Sequence, residues 1–328
     1  MPWRPRVWLA PVGRLIVAMV LLYVILKRLD FSQLSVEWDT RLLVTIGITF
    51  CMQLVAQALS TIRWQAIIRP GGPRWTYLFR LYLIGNFFSV FLPTSIGGDA
   101  VRALAVGPSV GGRAGALGSV ALDRLFGVAA LGCYLLLGIL IAPATLGLTN
   151  GLHWTAPRPG YIAAAGGALV LGGIMAFQLS KRREAVRSAL SDAGKVVSRL
   201  VTSPGRLVTV LALSLLVQGT YILTWMALAA GLGLRIPPPA FLLCVPIVSL
   251  GAMLPVSFGG LGVREGAWLL LLSPLGIRNA DIVVYSLLYF VAFVMVGAVG
   301  GILFLVRGVA SPAPAQTVIR PMAESRPT

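Results

Sequence analysis

The 328-residue chain is short of charge: Asp, Glu, Lys and Arg make up 11% of it, against about 25% in an ordinary soluble domain. With 57% hydrophobic residues, that shortage excludes a soluble globular fold and leaves a polytopic membrane protein. Histidine is almost missing. The one copy, His153, lies in a Pro-rich loop, so no histidine-based metal centre or catalytic base can be assembled. Cysteine is scarce too: Cys51, Cys133 and Cys244 each sit in an apolar run without a second ligand at metal spacing. They read as packing residues, with no disulfide framework and no zinc site. No nucleotide-binding motif and no cofactor signature occurs. Acidic residues number 10 against 27 basic ones, a formal charge of +17. In a soluble protein that balance would point to nucleic acid. Here the basic residues fall in the gaps between apolar runs, where anionic lipid and the positive-inside rule place them, and no aromatic-basic interleaving marks a nucleic-acid face.

What the chain does contain is a repeat. Leu92-Pro93-Thr94-Ser95-Ile96-Gly97-Gly98-Asp99-Ala100-Val101-Arg102 returns 162 residues later as Leu254-Pro255-Val256-Ser257-Phe258-Gly259-Gly260-Leu261-Gly262-Val263-Arg264. Both copies read LPxSxGGxxVR. Pro and paired Gly interrupt an apolar segment where a continuous helix would resist them.

The surrounding spans follow from the apolar runs. A first span begins at Leu15 to Leu26, and a second covers about Leu42 to Ile62 with Gln53 and Gln57 on one face. The connection bearing Arg63, Arg69, Arg74 and Arg80 reads as cytoplasmic. Tyr77 to Leu92 is too short to cross a hydrocarbon core of about 30 Å, so it either continues across as a broken span or turns back as a hairpin. Spans follow at Ala114 to Ala142 and Tyr161 to Leu179. The loop beyond holds Lys181, Arg182, Arg183, Arg187, Lys195, Arg199 and Arg206 against Glu184 and Asp192. It lies in the cytoplasm only if the first broken segment is a re-entrant hairpin. Residues 184 to 202 suit either a surface helix, with Val186, Leu190, Val197 and Leu200 toward lipid, or a solvated linker helix. A span at Leu207 to Leu232, a second hairpin from Ala240 to Leu272 and a last span at Ile282 to Val306 complete the set.

The expected fold is therefore all-α and polytopic, with six full spans and two re-entrant hairpins in an inverted-topology repeat. The membrane domain occupies residues 1 to 310. Its units, 42 to 142 and 204 to 304, are linked by the 161 to 179 span, and a disordered tail covers 311 to 328. Both termini are cytoplasmic. Inverted repeats whose broken helices bracket a central site are the plan of secondary transporters.

Ionisable side chains in hydrocarbon cost several kcal/mol, yet Asp99, Arg102, Asp123, Arg124, Arg264 and Glu265 cluster in or beside the repeat. Arg102 follows Asp99 by one helical turn, so the two can pair. Glu265 adjoins Arg264 but points elsewhere on a helix, so its partner is expected from another element. Two arginines near helix N-termini, with backbone N–H groups after Ser95, Gly97 and Gly98 and after Ser257, Gly259 and Gly260, can hold an anion. Two roles stay open for these charges: a lipid-phosphate site in a polar groove, or ion pairs that lock the hairpins. Asp123 and Arg124 are placed near the cytoplasmic end, where they can snorkel. Gln53, Gln57 and Gln218 either line the groove or bond between helices.

The pairing of NxFxVFLPTSIGGDxxR from Asn86 with LPVSFGGLGVRE ending at Glu265 resembles the lysylphosphatidylglycerol synthetase transmembrane family, also called the flippase-like domain family, over about residues 10 to 307. The resemblance implies lipid translocation in a bacterial inner membrane. It places Asp99, Arg102, Arg264 and Glu265 among the family's characteristic polar positions. No aminoacyltransferase domain follows Arg307, so lipid lysylation is not expected of this chain. The expected partners are membrane lipids, anionic or polyprenyl-linked, with a lipid-biosynthetic enzyme as a possible companion. The sequence thus points to a non-enzymatic lipid translocase without metal, cofactor or catalytic residues. Its alternatives are an intramembrane lipid-modifying enzyme and a non-transporting scaffold for such an enzyme.

Overall fold

A computed structural model describes residues 39–68, 72–91, 97–107, 112–145, 203–253 and 260–308, together with Tyr23 and Val110. The expected spans at 15–26 and 161–179, the basic loop with its 184–202 helix, and the tail lie outside the described residues. So do residues 92–96 and 254–259, among them Ser95, Ser257 and Gly259. Among the described residues there are eight α-helices and no strand. They are α1 (Thr40–Ile67), α2 (Trp75–Phe91), α3 (Gly97–Val106), α4 (Arg113–Thr145), α5 (Pro204–Gly231), α6 (Pro238–Met253), α7 (Val263–Leu272) and α8 (Asn279–Arg307). A 3-10 turn at Ser273–Leu275 joins the last two.

Local chemistry explains the ends. Asp39 caps α1 by accepting the Leu42 N–H at 2.9 Å. Pro204 opens α5, where its missing N–H leaves no bond unmade. Inside α1 and α5, Thr45, Thr49, Thr61, Ser214 and Thr224 each donate to the carbonyl one turn earlier. Their hydroxyls are thereby satisfied within their own helix and can be buried without water.

Among the described residues, four helices are long and apolar enough to cross a membrane: α1, α4 over Gly115–Ile141, α5 and α8. The chain is a multi-pass membrane protein. α1 wears its polarity on the inside. Leu43, Val44, Ile48 and Val55 are exposed, while Thr45, Thr49, Gln53, Gln57, Ser60 and Arg63 are buried, the reverse of a soluble amphipathic helix. Of the three cysteines, only Cys244 packs in the core. Cys51 and Cys133 face outward, which corrects the expectation that all three are interior packing residues.

α2 and α6, with 17 and 16 residues, extend only about 25 Å. Each is followed by a ten-residue helix packed against it. The Tyr77 hydroxyl near the start of α2 donates to the Ala105 carbonyl at the end of α3 at 3.0 Å. α3 therefore runs back alongside α2.

The two four-helix units, α1–α4 and α5–α8, share one set of neighbours. α1 packs on α5, α2 on α8 and α4 on α6. α1–α8 is matched by α5–α4, and α3–α4 by α7–α8. Exchanging the units maps this network onto itself. Arg41, at the start of α1, donates to the Ala230 carbonyl at the end of α5 (3.1 Å). Arg206, at the start of α5, donates to Ala66 and Ile68 at the end of α1 (2.8 and 3.0 Å). α1 and α5 are thus antiparallel. In each unit the short helix α2 or α6 meets the other unit's last helix at a glycine. A Cβ on Gly300 would overlap the Leu83 backbone, and one on Gly138, which lies 162 residues earlier, would come within 2.6 Å of the Leu242 backbone. Only a residue without a side chain permits backbones to approach so closely.

Candidate functional site

Asp123 is the hub of the first unit. It sits in α4, is 1% exposed, and accepts from three other helices. The Arg63 Nε of α1 reaches Oδ1 at 2.9 Å, while the Tyr82 hydroxyl of α2 and the Arg102 Nη2 of α3 reach Oδ2 at 2.9 and 3.1 Å. Arg102 also donates through Nη1 to Asp99 Oδ1 at 3.3 Å, as its spacing predicts, and the Arg124 Nε donates to Asp99 Oδ2 at 2.7 Å. The Arg102 guanidinium carbon lies 3.7 Å from the Tyr82 ring centre and 4.2 Å from that of Trp64. Such stacking offsets part of the desolvation of a buried cation. Trp64 is held in turn by a 3.2 Å bond to Ser119.

The second unit is simpler. Arg264 Nη2 donates to Glu265 Oε1 at 2.9 Å, and the Glu265 Oε2 accepts the Gly262 N–H at 2.6 Å. Ser286 accepts from Arg264 Nε (3.1 Å) and donates to Glu265 Oε1 (2.9 Å). Glu265 is fully buried. The expectation that its charge partner comes from another element is therefore corrected. Arg264 itself bends back to it, because a long side chain reaches an adjacent residue at a helix N-terminus, and α8 supplies only the Ser286 hydroxyl.

Between the units lies a cavity of about 300 Å³. The first unit lines it with Arg63, Asn86, Asp99, Arg102, Asp123 and Arg124, and the second with Gln218, Tyr221, Trp225, Arg264, Tyr289 and Phe293. The Arg124 side chain is 41% exposed, so this end communicates with the surface. The walls differ because repeat-related positions carry different residues. With the 162-residue offset, Asp123 corresponds to Tyr285, Gly127 to Tyr289 and Leu131 to Phe293. The first unit contributes more of the charge, and the second, beside Arg264, more of the aromatic rings. Trp225 and Tyr289 stack with centroids 3.8 Å apart.

Of the sequence candidates, Asp99, Arg102, Asp123, Arg124, Gln57 and Arg264 all line this cavity. Gly97 opens α3 and Gly98 packs against Gly85 and Ser89. Gly260, at φ +79°, lies against Ala252. Gln53 donates to the Tyr289 carbonyl (3.3 Å) and Gln218 to that of Gly127 (3.2 Å), so the two amides bond between helices at repeat-related carbonyls. Asp123 does not snorkel at a membrane face but anchors the buried network. Arg63 is not a loop residue: α1 continues to Ile67 and the side chain is 4% exposed. Sequence reasoning missed it, along with Tyr82 and Asn86. Its spacing of three after Ser60, on the stripe of buried polar residues, was the available signal.

Three buried donors on residues that line this space have no hydrogen-bond partner among the described residues: Arg63 Nη1, Arg102 Nε and Asn86 Nδ2. Buried donors in that state call for an acceptor.

Comparison with known families matches residues 12–301 to the model described as the lysylphosphatidylglycerol synthase TM region. No curated protein and no solved structure matches the chain.

Proposed function

The chain belongs to the lysylphosphatidylglycerol synthase TM-region family, and we propose that it is a lipid translocase, not an enzyme, passing head groups between leaflets through the inter-unit cavity. The observation that carries this reading is the inter-unit cavity itself, lined by arginines and aromatic rings, with three buried donors on its lining residues that have no partner among the described residues. Lipid tails offer no acceptor, so such donors are costly in a membrane unless a polar ligand visits them.

The proposed topology is an inverted repeat of six spans and two re-entrant hairpins, one hairpin entering from each side, in a bacterial inner membrane with both termini cytoplasmic. The antiparallel α1–α5 pair, the exchangeable neighbour network and the short paired helices support it. The cavity lies where the two hairpins and the long helices converge, as in transporters whose broken helices bracket a central site. The partners are membrane lipids, anionic or polyprenyl-linked. Among the described residues that line the cavity, the two carboxylates, Asp99 and Asp123, are each paired with arginines.

Reconstitution into vesicles and measurement of head-group scrambling tests the site. Arg102→Ala and Arg264→Ala are each expected to slow scrambling by about tenfold or more, the cost of one charge-assisted bond. Wild-type rates in both variants would remove the proposed path.

A further inference from the structure

Gly127 leaves a notch in the cavity wall where any other residue would place a side chain. It is buried on α4, one turn after Asp123, and lines the cavity together with Arg63 and Gln218. Apart from the helix's own backbone, the three atoms nearest to the point that a Cβ would occupy are all nitrogens: Arg63 Nη1 at 3.4 Å, Gln218 Nε2 at 3.5 Å and Arg63 Nη2 at 3.7 Å. Each can donate and none can accept. Arg63, 4% exposed, gives its Nε to Asp123, and its Nη1 has no partner among the described residues. Gln218, 7% exposed, gives one N–H to the Gly127 carbonyl, which leaves the second N–H of the amide. α1 and α4 of the first unit and α5 of the second thus build the notch between them.

The repeat supplies no second copy of it. At the 162-residue offset Arg63 corresponds to Trp225, Gly127 to Tyr289 and Gln218 to Ala56, so the guanidinium, the space and the amide are all replaced. Trp225 and Tyr289 stack with their rings 7° from parallel, and the equivalent place is filled. The arginines that the units do share are committed elsewhere. Arg102 donates through both Nη atoms to Asp99 and Asp123, and Arg264 donates through Nε and Nη2 to Glu265 and Ser286. The notch therefore belongs to one side of the cavity, and the residues that build it lie outside the LPxSxGGxxVR motif.

On the translocation reading above, we infer that the Gly127 notch is an oxyanion site that receives a phosphate oxygen of the ligand, with Arg63 and Gln218 as its donors. An anionic oxygen carries no hydrogen and several lone pairs, so it can accept from the guanidinium and the amide together. A bond from a guanidinium to a phosphate oxygen is among the stronger hydrogen bonds that a protein forms, and a buried N–H left without one is costly. Both oxygens of the neighbouring Asp123 carboxylate accept from Arg63, Tyr82 and Arg102, which offsets its repulsion of an anion. The site fixes where the phosphate stands and leaves the rest of the head group open. A lipid phosphodiester and free inorganic phosphate present the same oxygen to it. Arg63 belongs to one unit and Gln218 to the other, so the bound oxygen bridges the two.

The test is thermal melting of the purified full-length protein in detergent with dioctanoyl phosphatidylglycerol, with inorganic phosphate, or with dioctanoylglycerol, which has the same chains and no phosphate. The wild type is expected to be stabilised by phosphatidylglycerol and not by dioctanoylglycerol. Gly127→Ala places one methyl group in the notch at ordinary contact distances. It is expected to keep the melting temperature of the unliganded protein and to weaken the apparent affinity for phosphatidylglycerol about tenfold or more, the loss of one charge-assisted bond. Gly132→Ala adds the same methyl to the same helix where nothing lies within 4 Å, and is expected to bind as the wild type does. No stabilisation by either phosphate probe, equal stabilisation by dioctanoylglycerol, or a Gly127→Ala affinity equal to that of the wild type or of an equally weakened Gly132→Ala overturns the inference. Stabilisation by inorganic phosphate that Gly127→Ala abolishes, with none by phosphatidylglycerol, upholds the oxyanion site and overturns a lipid as its occupant. Scrambling by the same proteins separates the site from translocation. Notch-dependent binding by a protein that scrambles no lipid removes translocation and leaves the site, whereas wild-type scrambling and binding by Gly127→Ala remove the site and leave translocation.

Discussion

Asp123→Ala will destabilise the protein by about 3–5 kcal/mol, the cost of removing one member of a buried ionic cluster and leaving the others uncompensated. Asp123 is the point at which α1, α2, α3 and α4 meet. Arg63 and Arg102, 4% exposed each, both rely on its carboxylate, and the Tyr82 hydroxyl loses its acceptor with them. The loss can be read from equilibrium unfolding in detergent micelles. A second variant separates charge from packing. Arg63→Met, Arg102→Met and Asp123→Leu combined remove every charge of the triad and fill the space with apolar atoms, which is often close to neutral for a buried ion cluster. The triple variant is therefore expected to be more stable than Asp123→Ala alone while lacking the proposed transport. If Asp123→Ala unfolds within about 1 kcal/mol of the wild type, the cluster does not organise the first unit.

The second large effect concerns the cavity rather than its charges. Gly127 lies in α4 opposite Arg63 and Gln218, where a Cβ would sit 3.4 Å from Arg63 Nη1 and 3.5 Å from Gln218 Nε2. Those are ordinary contacts. The first side-chain carbon of a leucine therefore fits beside them, and leucine gains helix propensity of up to about 1 kcal/mol over glycine. Its remaining atoms must project into the cavity. Gly127→Leu is expected to leave the melting temperature near that of the wild type and to reduce scrambling by about tenfold or more, because the remaining volume no longer accepts a desolvated head group. A plugged variant that scrambles at the wild-type rate shows that lipid passes elsewhere.

The long helices and the shorter ones between them could be read from the chain because Pro and paired Gly punctuate apolar runs of different length. Asp99 and Arg102 were legible for a similar reason, since helical spacing alone brings them together. The rest depended on tertiary contacts. Arg63 resembles a positive-inside residue in a linear chain. It becomes a site residue only because α1 extends one more turn and meets Asp123, 60 positions away. Glu265 defeated the rule that adjacent helical residues diverge, because Gly262 precedes its helix and leaves an N–H for it to cap while Arg264 curls back. The aromatic wall was hidden by the repeat itself. Motif identity draws attention to what the units share, such as Arg102 and Arg264, whereas the cavity also depends on what they do not share: Gly127 against Tyr289, Leu131 against Phe293.

The central claim is that a lipid head group enters the cavity between the two units. A phosphatidylglycerol analogue with a photoreactive group on its head, cross-linked in reconstituted vesicles and mapped by mass spectrometry, tests it most directly. The account predicts labelling of inward-facing residues on α1, α2 and α4, with Gln57, Asn86 and Gly127 foremost, and competition by unlabelled lipid. Labelling confined to outward-facing positions such as Leu140 of α4 and Leu305 of α8, both exposed, with none inside the cavity, would contradict it.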